Sequence, residues 1–99
     1  MTNSAFMTIC AAGTADESLV PTLLALYTDY RGDWDGAHTI IQDVQSAEGS
    51  WIHAYLHRKE GDRSNAQYWY SRVNRKMPAY SLEQEWEEIV SVLLYSLNQ

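Results

Sequence analysis

The chain has 99 residues with 13 acids against seven bases, a formal charge of −6, and 45% apolar residues that include four Trp and seven Tyr. One domain of this size and composition can bury a core without staples, so a disordered chain is excluded, and the acidic balance excludes general nucleic-acid binding, which rests on neutralising phosphates. Cys10 is the only cysteine, which excludes an intrachain disulfide and points to the reducing cytoplasm, and no apolar run approaches the roughly 18–20 residues of a membrane span.

Residues 1–15 are small and polar without a period and read as a flexible N-terminal arm, leaving 16–99 as a single helical domain. The arm carries no Lys or Arg and only a short apolar run, so no secretory leader is expected. A first helix is expected from Ser18 as N-cap, with Pro21 in its first turn, where a missing N–H is harmless. Leu19, Val20, Leu23, Leu24, Tyr27 and Tyr30 then recur at helical spacing until Gly32. Asp33 caps a second helix, whose apolar line is Trp34, Ala37, Ile41 and Val44, with His38 flanking it. The pattern breaks from Gln45 to Gly49. Ser50 then caps a third helix that runs to Glu60, Gly61 supplies a left-handed end, and Asp62 caps a fourth. Ala66, Trp69, Tyr70, Val73 and Met77 share one face of the fourth helix, which Pro78 ends. The fifth opens on a capping box, Ser81 with Gln84, and places Glu83, Glu85, Glu87 and Glu88 where the helix dipole favours acids. Leu82, Trp86, Ile89, Val90, Leu93, Leu94 and Leu97 complete its stripe.

Arg31-Gly32-Asp33 with Ala37 recurs 29 residues later as Glu60-Gly61-Asp62 with Ala66, a helix, Gly-Asp turn, helix unit in both copies. The expected fold is therefore all-α, with about five helices: two antiparallel helical hairpins in a tetratricopeptide-like arrangement and a C-terminal capping helix. The offset is shorter than the roughly 34 residues of that repeat. A solvent-facing last helix would expose some of Leu93, Leu94, Tyr95 and Leu97, which suits a homodimer through that helix.

Charge is segregated along the chain. Residues 1–49 hold Arg31 against seven acids, residues 50–76 hold six bases against Glu60 and Asp62, and residues 77–99 hold four glutamates and no base. The basic middle is either neutralised by its acidic neighbours or forms a local anion site. Arg58, Lys59 and Arg63 near the Asp62 helix start suit a phosphate or carboxylate, or else pair with Glu60 and Asp62 as a solvated face. Asn65, in the first turn after Asp62, either points into the same pocket or serves the cap.

His53, His57 and Glu60 stand at i, i+4 and i+7 on one helix and can converge on one point, with His38 as a fourth ligand from the preceding helix. Imidazoles and a carboxylate suit a transition metal such as zinc. The same spacing also fits a surface pair of His57 with Glu60 and a hydrogen-bonded His53 at the core edge, with no cofactor. Trp69 and Tyr70 read as core, while Tyr55 and Tyr68 point elsewhere and suit a peptide-binding groove. No serine sits in a GxSxG context and no Gly-rich phosphate loop is present, so catalysis is the minority expectation.

The segments GDWDGAH (Gly32 to His38) and GSWIHAYLHRKEGDRSNAQYWY (Gly49 to Tyr70) resemble a family of small helical proteins of bacteria and some fungi, over roughly residues 30–88. The matching positions include Trp34, His38, His53, His57, Arg58, Glu60, Gly61, Asp62, Asn65 and Trp69. The resemblance implies a shared ligand site around the histidines and supplies no activity, cofactor or partner. It departs at Ser71-Arg72-Val73-Asn74-Arg75, where the family has a small residue and glycine after the arginine. Two functions are expected. The first is a helical-repeat-like module that binds a peptide or protein through Arg58, Asn65, Tyr55 and Tyr68. The second is a metal- or anion-dependent site, hydrolytic in its sharpest form, on His38, His53, His57 and Glu60.

Overall fold

The computed structural model describes residues 1–16 and 18–99. Six helices lie among them: α1 Asn3–Ala12, α2 Pro21–Tyr30, α3 Trp34–Ile41, α4 Ala47–Glu60, α5 Arg63–Arg72 and α6 Leu82–Leu97, with no strand among the described residues. All six meet in one apolar core. None of the helices is long and apolar enough to cross a membrane.

The stretch expected as a flexible arm contains α1. Thr2 caps it by accepting from the Ala5 N–H at 3.1 Å, and Phe6 and Cys10, one turn apart, are both fully buried. The Phe6 ring stacks on Trp86 of α6, and Asn3 donates to Ser91 of the same helix at 2.7 Å. Burying one phenyl ring contributes roughly 1.5–3 kcal/mol, which two apolar positions among small residues do not advertise as a periodic stripe. Arg31 donates to the carbonyls of Cys10 and Ala11 at the end of α1, where the helix dipole favours a cation.

Two helix starts also differ from expectation. Ser18 hydrogen-bonds Asp16 and caps nothing further, so α2 begins at Pro21, whose fixed φ suits the first helical position. The α4 helix begins a turn earlier than Ser50, because Ser46 accepts from the Gly49 N–H at 3.0 Å. Gly49 is a close-approach residue inside the helix, since a Cβ there would lie 2.5 Å from the Val44 carbonyl oxygen. Gly49→Ala is therefore expected to destabilise by about 1–2 kcal/mol: overpacking outweighs a helix-propensity gain of about 1 kcal/mol. Urea unfolding checks this, and a gain in stability would show that Val44 yields freely.

Every residue from Trp51 to His57 is buried, because α4 packs against α2, α3, α5 and α6 at once. The Gly-Asp turns behave as expected. Gly32 and Gly61 adopt left-handed φ of 89° and 92°, and Asp33 and Asp62 cap α3 and α5. Each turn joins a pair of helices packed on one another, α2 with α3 and α4 with α5. The α5 helix stops at Arg72, short of Pro78, as Asn74 takes the left-handed φ of 56° that asparagine tolerates.

The capping box of α6 is complete. This helix is not a solvent-facing lid: it packs on α4 and α2 on one side and α1 on the other, burying Leu93 and Leu94. Tyr95 and Leu97 remain exposed, so two of the four apolar residues expected for a homodimer surface lie inside the core.

Candidate functional site

Three histidines meet where α3 lies against α4. His38 sits one turn after Trp34 on α3, and His53 and His57 are one turn apart on the buried run of α4. One ring nitrogen from each lies within 4.8 Å of the others. His38 Nε2 and His53 Nε2 are 3.1 Å apart, one donating to the other. Two aromatic walls hold the rings. The Trp34 indole stacks on His38 at 5.1 Å and anchors α3 to α4 by donating to the Leu56 carbonyl at 2.8 Å. Trp69 of α5 stacks on His53 at 4.0 Å.

Glu60 accepts from His57 Nδ1–H at 2.6 Å. Its carboxylate clusters with His57 and Asp62 rather than with the His38 and His53 nitrogens, so it stands apart from the three imidazoles and instead orients His57, leaving the Nε2 lone pair for coordination. Burial, then the neighbouring His57 and His38, push the His53 imidazolium pKa down to about 4, so that His53 is a neutral, ligand-ready base near pH 7. His53 and His57 are buried while His38 reaches the surface, which gives the cluster an edge open to water.

The residues expected to line a binding groove do other work. Arg58 pairs with Glu85 at 2.8 Å and also donates to the Tyr80 carbonyl. Lys59 pairs with Asp29 at 2.9 Å. Tyr55 is 3% exposed and donates to Asp29 at 3.0 Å, because its position on α4 faces α2 rather than solvent. Asn65 serves the Asp62 cap through its backbone and side chain. Tyr68 is exposed, with Arg72 donating to its hydroxyl at 3.1 Å. Tyr55 and Tyr68 therefore share no groove.

Two buried carboxylates escaped the sequence reading. Glu85 is fully buried and accepts from Tyr70 Oη–H, Trp51 Nε1–H and Arg58, and burial beside it raises the Tyr70 phenol pKa. Asp29 is buried between Tyr55 and Lys59. The signal was present: Glu85 falls three after Leu82 and four before Ile89, and Asp29 falls three after Leu26, both on apolar stripes. Among the described residues no buried side-chain polar atom lacks a partner. Cys10 is a fully buried free thiol whose pKa burial pushes up to about 11, so little of it is thiolate near pH 7.

His53 and Trp69 also line a cleft of about 730 Å³, bounded by the segment before α4 and by Arg72 and Asn74 at the end of α5. No protein-family model, curated protein or solved structure matches this chain.

Proposed function

We propose that the protein is a metal-binding helical protein whose centre is His38, His53 and His57, with zinc the first choice of ion. The carrying observation is that three imidazoles from two helices converge while a carboxylate holds Nδ1 of one of them. Tetrahedral zinc with Zn–N near 2.0–2.1 Å needs ligand nitrogens about 3.3 Å apart, and the His38–His53 separation of 3.1 Å is close to that edge. A carboxylate behind a ligating histidine is the usual second partner of such sites, and Glu60 supplies it. The positions of the family resemblance include these three histidines, Glu60 and both stacking tryptophans, which supports the same reading.

Three protein ligands leave one position for water, the arrangement of hydrolytic rather than structural zinc. A bound ion would lower the water pKa towards about 7, and the exposed edge at His38 gives access. Protein purified without a histidine tag is expected to take up one zinc per chain, and His53→Ala is expected to lose it while staying helical. Elemental analysis and zinc titration check this. A wild type that binds no zinc, or a His53→Ala variant that binds as well, overturns the reading.

A second reading, binding of a peptide or protein partner, is favoured by the cleft beside His53, which Arg72 at the end of α5 lines, with exposed Tyr68 one turn earlier accepting from Arg72. In that reading the Gly-Asp hairpins form a tetratricopeptide-like pair, and Tyr95 and Leu97 are what remains for self-association through α6. Tyr68→Ala would weaken the partner without changing zinc uptake, which separates the two readings.

A further inference from the structure

Six bases lie between residues 50 and 76; Arg72 lies over the Tyr68 and Trp69 rings, and the structure divides the other five into two groups. Arg58 and Lys59 are consumed by the buried carboxylates of Glu85 and Asp29. Arg63, Arg75 and Lys76 line a separate cleft of about 340 Å³ along α5, and no carboxylate lines it with them. Among the described residues none of these three has a carboxylate within salt-bridge distance, although the chain as a whole carries a charge of −6. We propose that this cleft binds a small molecule through a multiply charged phosphate group.

The cations are arranged as a receptor rather than scattered. The Arg75 guanidinium lies 3.4 Å from the centroid of the Trp51 ring, and Trp51 is itself held by its Nε1–H bond to Glu85. Stacking orders the long side chain before a ligand arrives, so less freedom is lost on binding. Arg63, on the first turn of α5, and Lys76, just beyond its end, face the same space, with Gln67 and Ser71 offering neutral hydrogen-bonding groups between them. Three like charges around one cleft repel one another, and an anion of charge −2 or more relieves all three pairs at once. Planar guanidinium forks match phosphate oxygens, and the volume lies at the lower end of the roughly 300–1,000 Å³ of small-molecule sites, so a phosphate ester or pyrophosphate fits better than a lone ion.

The site shares no residue with the histidine cluster, so chelator-treated protein serves for the test and the metal reading stands or falls separately. Calorimetric titration at low ionic strength is expected to show one pyrophosphate per chain, bound at least tenfold more tightly than malonate. The Arg63→Gln, Lys76→Gln double variant, both exposed positions, is expected to weaken pyrophosphate tenfold or more with an unchanged melting temperature. Arg75→Lys, which keeps the charge and loses the stacked fork, is expected to weaken it severalfold. Absence of saturable binding, equal affinity for malonate, or an undiminished double variant overturns the proposal. So does salt-sensitive self-association, seen by sedimentation and abolished in the double variant, when pyrophosphate does not bind. That result would assign the cleft to the acidic surface of a second copy.

Discussion

Arg58→Met is expected to cost about 3–5 kcal/mol, a large share of the roughly 5–15 kcal/mol that holds a domain of this size together. The reason lies in Glu85, which is fully buried and whose only cationic partner among the described residues is Arg58, at 2.8 Å. Tyr70 and Trp51 donate to the same carboxylate but carry no charge, so the variant leaves an uncompensated anion in the core. The Arg58 contact with the Tyr80 carbonyl, which ties the segment before α6 to α4, goes with it. At about 4–8 °C per kcal/mol for a domain of this length, thermal melts followed by circular dichroism should fall by roughly 12–40 °C. The double variant Arg58→Met, Glu85→Gln should recover much of that loss, because the amide still accepts from Tyr70 and Trp51 without a charge to satisfy. A single variant melting within a few degrees of wild type would mean that Arg58 is free for a ligand, as its sequence context allows.

That pair also marks where the sequence stopped being legible. The α3 and α6 faces, the Gly-Asp turns, the Asp33 and Asp62 caps and the α6 capping box could be read, because each depends on residues within four positions of one another. The α2 face was misread: Val20 and Tyr30 are exposed, and Ala25, Leu26 and Asp29 are buried beside Leu23. Helix α1 could not, since Phe6 and Cys10 become a face only when Trp86 stands opposite. Gly49 read as a breaker because its reason for being glycine, the Val44 carbonyl, belongs to the preceding loop. The histidine cluster was half legible. The spacing of His53, His57 and Glu60 is local, but the choice between ligand and orienting partner for Glu60 depends on where α3 sets His38. The basic stretch misled for the same reason. Arg58 and Lys59 look like the start of an anion site until Glu85 and Asp29, 27 and 30 residues away, are seen to reach them. Among the described residues, the cations further along, Arg63, Arg72, Arg75 and Lys76, have no carboxylate within salt-bridge distance.

Metal-free protein should lose about 3 kcal/mol of stability between pH 6.5 and pH 4 on account of His53 alone. In the unfolded chain this imidazole takes up its proton near pH 6.5, whereas in the folded protein burial and the facing His57 and His38 delay uptake to about pH 4. Between those values the unfolded state binds more protons, so stability falls as pH drops, by about 1.4 kcal/mol per pH unit, and is unaffected by this group above the window. Other groups titrate on the acid side in both proteins, so the quantity to measure is the difference between wild type and His53→Gln as a function of pH. That difference should shift in favour of the variant as pH falls through the window. Zinc should act in the opposite direction near pH 7, adding about 2.7 kcal/mol at a free concentration one hundredfold above its dissociation constant. The gain should vanish towards pH 4, because zinc binds only deprotonated ligand nitrogens. Urea unfolding with and without zinc at pH 7, 5.5 and 4 measures both effects. A wild-type-minus-variant difference that is flat with pH would mean that His53 is not held in its neutral form. A zinc effect that persists at pH 4 would place the ion on ligands other than the histidines.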